Sequence, residues 1–190
     1  MKTRLLTILF ACFFVGAYAQ IDVKINPLGL LFGSPDLSAD FALSDKFSVE
    51  GGLGLNLGKF SINDVSYKRN GVSFFAAGRT YFNPEAGADK FGLGIYARAK
   101  NIRSKVDVGE SANNYTRNRF ALGFMVGWKW VSDSNIVFEI DLGAGRAFVN
   151  KIKYDDPDAS TLNIDDIPSL NIDVLVRFAV GYRFGSVGLR

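Results

Sequence analysis

From residue 20 onward, apolar and polar side chains alternate along segments of about ten residues, and the links between segments tend to alternate short and long. Phe47 to Gly58 is the clearest case. Phe47, Val49, Leu53, Leu55 and Leu57 share one face, while Ser48, Glu50, Gly52, Gly54, Asn56 and Gly58 share the other. Side chains of a strand point to opposite faces with period two, so each segment has an apolar wall and a polar wall. The pattern predicts eight strands: Ile21 to Phe32, Asp36 to Ser44, Phe47 to Lys59, Val72 to Asn83, Phe91 to Lys100, Arg119 to Val131, Ile136 to Phe148 and Leu170 to Phe184. Short links are expected at Asp45-Lys46, Asn83 to Lys90 and Ser132 to Asn135. Longer ones are expected at Phe60 to Gly71, Asn101 to Asn118 and Val149 to Ser169, with Gly33 to Pro35 a short exception on that side. Short turns at one end and long loops at the other are the asymmetry of bacterial membrane barrels.

The fold expected is therefore all-β, an eight-stranded antiparallel up-and-down transmembrane β-barrel preceded by a cleaved signal peptide. The apolar positions Leu53, Leu55, Ala76, Leu93, Ile95, Leu122, Phe124, Val126, Ile140, Leu142, Val174, Val176 and Phe178 would face lipid, with Arg146 an exception near the outer rim whose stem can reach the headgroups. Phe47, Phe82, Phe91, Trp128, Trp130, Phe138, Tyr182 and Phe184 come from strands running in both directions, yet all fall near the short-link ends. Aromatic rings prefer the membrane-water boundary, so these eight form the expected periplasmic belt. The opposite wall carries Lys24, Asp40, Glu50, Arg79, Arg98, Lys129, Glu139, Asp141, Asp173, Arg177 and Arg183. Eight strands leave an interior just wide enough for side chains, and unpaired charges there are costly, so these residues are expected to pair and plug the lumen. The rival expectation is a narrow polar conduit on the same residues.

Residues 1 to 19 read as a signal peptide, with Lys2 and Arg4, the apolar run Leu5 to Val15, and Ala17-Tyr18-Ala19 before Gln20. Residues 20 to 190 would be one barrel domain. A lipoprotein site at Leu9 to Cys12 fits less well, because apolar sequence continues through Val15 and Phe10 is bulky for that role. Cys12 is the single cysteine, so the processed chain would have no disulfide and no thiolate metal site. Cleavage lowers the formal charge from +3 to about +1, which gives no footing for a nucleic-acid partner.

Histidine is absent from the chain. Membrane-barrel proteases, phospholipases and lipid-modifying enzymes use histidine as general base, and no spacing places a lysine or carboxylate beside Ser73 or Ser111 instead. The expectation is a protein that is not an enzyme, with no catalytic residue, cofactor or metal. Asp155, Asp156, Asp158, Asp165 and Asp166 make the last long link acidic, but their spacing matches no EF-hand, and a solvated loop is the reading. Arg103, Lys105, Arg117 and Arg119 make the preceding long link basic, so the two links are candidates to pair with each other or with lipid phosphates. Asn114-Tyr115-Thr116 spells a glycosylation sequon, a weak sign in a bacterial envelope. Gly52-x-Gly54 and Gly143-x-Gly145 are not phosphate loops, since no helix follows either.

Ile25-Asn26-Pro27-Leu28-Gly29-Leu30-Leu31-Phe32-Gly33, Leu37 to Leu43 and the Ser44 to Val49 hairpin resemble small OmpA/OmpX-type outer-membrane β-barrel proteins of Gram-negative bacteria. The resemblance implies insertion by the outer-membrane assembly machinery from an intermediate held by periplasmic chaperones. Both termini would be periplasmic, and outer-membrane lipid and lipopolysaccharide would be the immediate partners. Val180, Tyr182 and Phe184 supply the aromatic rhythm of such a last strand, although Gly185 to Arg190 follow it. The peptidoglycan-binding domain of larger OmpA proteins is not expected here. The function this implies is display of extracellular loops for adhesion, surface interaction or envelope integrity. A porin-like channel, an accessory subunit of a secretion or uptake complex, and a soluble lipocalin-like carrier are the alternatives.

Overall fold

The computed structural model describes residues 20–62, 65–108, 111–155 and 171–185. The expected signal peptide and Asp156 to Asp166 of the acidic link lie outside the described residues. Nine strands follow in chain order: β1 (Ile21–Ile25), β2 (Asp36–Ser44), β3 (Phe47–Asn56), β4 (Lys59–Ile62), β5 (Val65–Phe82), β6 (Lys90–Val108), β7 (Ser111–Val131), β8 (Ile136–Tyr154) and β9 (Ile172–Phe184). Every neighbouring pair is antiparallel, in the order β3-β2-β1-β9-β8-β7-β6-β5-β4. β3 also pairs with β5, from Phe47↔Thr80 to Asn56↔Gly71, and β4 continues along the same partner. β3 and β4 are thus one barrel strand interrupted at Leu57-Gly58, and their pairing with β5 closes an eight-stranded ring. The seam between the chain's first and last strands runs from Ile21↔Phe184 to Ile25↔Val180.

The strand limits differ from the sequence expectation in two ways. The first strand stops at Ile25, and a short helix, α1 (Pro27–Leu31), follows. Asn26 caps it by accepting a 3.1 Å bond from Gly29 N–H, and Pro27 has no N–H to offer a β ladder. Gly33, at φ 66°, then turns the chain towards β2. The second difference is larger. Phe60 to Gly71 and Asn101 to Asn118, expected as loops, are mostly strand: β5, β6, β7 and β8 run for 18, 19, 21 and 19 residues. Opposite them β2 and β9 have 9 and 13 residues, so the wall is tall on one side and low on the other.

The walls face as the alternation demands. Leu53, Ile95, Phe124, Val174 and Val176 are 61 to 77% exposed, whereas Lys24, Asp40, Glu50, Lys129, Glu139 and Asp141 are at most 1% exposed. This inversion rules out the soluble carrier with an apolar lumen. A bulge at Phe148 sets Phe120 opposite Val149 and Ala121 opposite Ala147, so Phe148 and Val149 both point outward while Ala147 and Asn150 point in.

Along β6 the outward positions Phe91, Leu93, Ile95, Ala97 and Ala99 give way to Asn101, Arg103 and Lys105. On β7 and β8 the same face changes to Asn118, Thr116, Lys151 and Lys153, and across β6 to β8 the face continuing the lumen wall becomes Ile102, Tyr115, Ile152 and Tyr154. The apolar band on β6 spans about 20 Å along the barrel axis, from a rise of about 3.3 Å per residue and a tilt of about 40°. Above it the tall hairpins carry a polar outer face.

Candidate functional site

The lumen holds three layers. Nearest the short links, β1, β2, β3, β5, β7, β8 and β9 bring together a knot of charge. Lys24 Nζ lies 3.3 Å from Asp40, 2.9 Å from Glu50 and 2.9 Å from Glu139, one carboxylate for each of its three protons. Arg79 reaches Glu50 at 2.5 Å, Glu139 at 3.0 Å and Asp141 at 3.1 Å. Arg177 holds Glu50 at 2.6 Å and Asp141 at 3.3 Å, and its guanidinium lies 5.2 Å from the centre of the Phe75 ring. Lys129 bridges Asp40 at 2.5 Å and Asp22 at 3.0 Å. Arg183 grips Asp22 through Nε and Nη2, at 2.6 and 2.9 Å, and donates to the Ala86 and Ala88 carbonyls of the link below.

Bases and acids balance in this knot: Lys24, Arg79, Lys129, Arg177 and Arg183 against Asp22, Asp40, Glu50, Glu139 and Asp141. Ion pairs this deep gain little over an apolar core, but removing one partner strands the other at about 3–5 kcal/mol. Asp40, Glu50 and Glu139 converge closely enough to hold a metal ion, and the Lys24 ammonium already occupies the point between them.

Above the knot lies an apolar layer of Ala77, Tyr96, Met125 and Leu175, with Phe75 against it. Tyr96 lies over glycines of the facing strands. A Cβ at Gly123 would come within 2.6 Å of its ring, at Gly143 within 3.0 Å, and at Gly145 within 2.8 Å of its hydroxyl. These three glycines thus make room for one tyrosine. Its hydroxyl donates to Asp173 at 2.9 Å.

The third layer, at the long-hairpin end, is built on Asp173. Arg98 Nη2 donates to both its carboxylate oxygens at 2.6 Å, and Arg119 Nη2 lies 3.3 Å away while donating to the Ile172 carbonyl. A cavity of about 160 Å³ adjoins this layer, lined among others by Asn56, Ser73, Arg98 and Lys100.

All eleven expected lumen charges therefore point inward, but they divide between two layers: Arg98 and Asp173 stand apart from the other nine. Sequence reasoning missed Asp22, although its spacing of two from Lys24 placed it on the same wall. It also missed Tyr81 and Tyr96, because an alternation read as charged against apolar passes over a buried phenol. Arg119, expected at the start of a strand and counted with the basic link, sits on the lumen wall. The eight belt aromatics are 37 to 52% exposed at the short-link end, and several touch: Phe82–Phe91 at 6.0 Å, Phe91–Trp128 at 6.1 Å, Trp128–Trp130 at 5.9 Å and Tyr182–Phe184 at 5.0 Å between ring centres. Phe41 joins this level through its pairing with Val49 and Ile21. A second set, Phe74, Phe120 and Phe148 with Phe32 beyond α1, lies exposed at the other edge of the apolar band.

Outside the band, Arg103 of the basic link pairs with Asp155 of the acidic one at 2.7 Å. At the opposite end Glu85 lies 2.8 Å from Lys90 Nζ, and this hydrogen bond holds the ammonium's pKa above its ordinary value. No helix among the described residues is long and apolar enough to cross a membrane, which says nothing of strands.

Residues 4–166 match the family described as protein of unknown function (DUF3575), and the chain belongs to that family. No curated protein matches it. Among solved structures it is similar to a major outer membrane protein from Thermus thermophilus, 13% identical, covering 87% of this chain and 99% of that one with a TM-score of 0.55. Neisserial surface protein A also matches, 18% identical, over 87% of this chain and 94% of that one with a TM-score of 0.39. The first of these agrees with the eight-stranded barrel at the level of fold.

Proposed function

For this DUF3575 protein, closed into a barrel that is apolar outside and ionised within, we propose an outer-membrane scaffold that is not an enzyme and whose tall hairpins stand outside the cell for adhesion, surface interaction or envelope integrity. The observation that carries the proposal is the reversal on the outer wall. The wall is apolar between two aromatic levels, then polar from Asn101, Asn118 and Lys151 outward. A soluble barrel has no reason to reverse its faces at one height, whereas a wall leaving the hydrocarbon must. The short links and both described ends of the chain then lie in the periplasm, and lipopolysaccharide surrounds the upper rim. Outer-membrane lipid and, during biogenesis, the assembly machinery and its chaperones are the partners this reading supplies.

The paired knot and the Tyr96 layer favour display over conduction, because a solute path would have to separate at least four acids from their bases. Two measurements test the proposal. The protein should fractionate with outer membranes and migrate faster on a gel before heating than after. Purified protein should also be silent in planar bilayers. Steady ion-selective steps lost in Glu50→Gln would replace the scaffold with a pore, and release by carbonate alone would remove it from the membrane.

A further inference from the structure

In the layer at the long-hairpin end bases outnumber acids among the described residues, whereas in the knot below the two balance. Asp173 is the acid of this layer, and Arg98 and Arg119 both pair with it. The ammonium of Lys100, a residue across the ladder from both Ser73 and Arg119, makes no hydrogen bond or ion pair among the described residues. Arg98, Arg119 and Arg69 are close enough for their like charges to act on it, against the single opposite charge of Asp173. Asn56 is only 8% exposed: its Oδ1 accepts from Ser34 at 3.3 Å, and its Nδ2 has no partner. Arg119 Nε is likewise buried and unpaired. The remaining carboxylate beside the cavity, Asp36, already accepts from Asn26 Nδ2 at 2.9 Å.

A buried donor without an acceptor costs about 1–3 kcal/mol, so Asn56 Nδ2, set on the wall of the same cavity as the unpartnered Lys100 ammonium, marks the place of an absent acceptor. We propose that the cavity bounded by Asn56, Ser73, Arg98 and Lys100 binds a small oxyanion of the phosphate or carboxylate type. The Lys100 ammonium supplies its charge partner, Asn56 Nδ2 and the Ser73 hydroxyl supply neutral donors, and Arg98 is shared with Asp173. The space equals about five waters, which accommodates a single tetrahedral or planar anion together with a few waters. Phe75 and Leu175 of the apolar layer line the cavity beside Arg177 of the knot, so the anion would be held at the mouth without passing through.

The test is calorimetric titration of the full chain in neutral detergent with inorganic phosphate, acetate, and chloride at matched ionic strength. Saturable binding of phosphate or acetate, absent with chloride, is expected. Lys100→Met should weaken it at least about tenfold, as loss of a charge-assisted bond does. Asn56→Leu should weaken it less, Lys100→Arg should restore it, and Lys151→Met on the outer wall should leave it unchanged. Micelles doped with an anionic phospholipid distinguish the sources: heat with doped micelles alone, lost in Lys100→Met, assigns the site to a lipid headgroup, and heat with free phosphate assigns it to a soluble anion. Heat-dependent gel mobility confirms that each variant is folded. A folded wild-type protein giving no site-dependent heat with any of these anions, or equal weakening by Lys151→Met, overturns the proposal.

Discussion

The two polar layers of the lumen use the same residue types to opposite ends. Around Lys24 every base faces acids at 3.3 Å or less, the numbers balance, and solvent is excluded. Around Asp173 bases outnumber acids, Arg98 and Arg119 retain 17 and 18% side-chain exposure, and the Lys100 ammonium has no partner among the described residues. Buried charge is thus a structural filling where it is saturated and an opening for chemistry where it is not. The difference arises from the neighbours of each layer: both reach the cavity, but Arg177 meets it already paired with Glu50 and Asp141, whereas the Lys100 ammonium meets it with no partner among the described residues.

The comparison breaks first at lysine. Lys24→Met should cost about 3–5 kcal/mol, because three carboxylates lose their shared partner, and Lys100→Met should stay within about 0.5 kcal/mol; denaturant unfolding in micelles reads both. Equal losses would show that the layers do not differ in kind. Tyr96→Phe tests the division between them: losing the bond to Asp173 should cost about 1.5–3 kcal/mol by the same assay, while bilayers should stay silent because the knot below is untouched. Gly145→Ala places a methyl within 2.8 Å of the Tyr96 hydroxyl and hard against the Leu122 carbonyl, and the overpacking should cost about 1–3 kcal/mol and lower the temperature at which the fast gel form is lost. Least affected should be Arg103→Ala. Its pair with Asp155 is 66 and 41% exposed, so unfolding should move by less than about 1 kcal/mol, with surface protease sensitivity at the hairpins the finer readout.

Much of this was legible in the sequence for a local reason. Period two is a property of single strands, so Glu50, Arg79 and Asp141 could be placed on the inner wall before any pairing was known. The tall hairpins were not legible, because above Lys100 and Arg119 the alternation changes sense and the composition, rich in Asn, Arg, Lys and Ser, is that of a loop. Their ladders are made by β5 to β8 supporting one another, which no segment displays alone. The helix α1 was hidden inside an apolar run, although Asn26-Pro27 carried the capping signal. The division of the lumen into layers depends on register between strands far apart in the chain. Lys24 meets Glu139 across 115 positions, and local spacing carries no trace of that.

The seam between β1 and β9 sets a condition on assembly. Arg177 and Arg183 arrive with the last strand, and until they do Glu50, Asp141 and Asp22 lack cations that the finished ring supplies. A chain truncated before Ile172 would have to immerse surplus negative charge in hydrocarbon or leave its first strand unzipped. Electroneutrality of the bore therefore arrives with the closing strand, which brings two of the five cations that neutralise it.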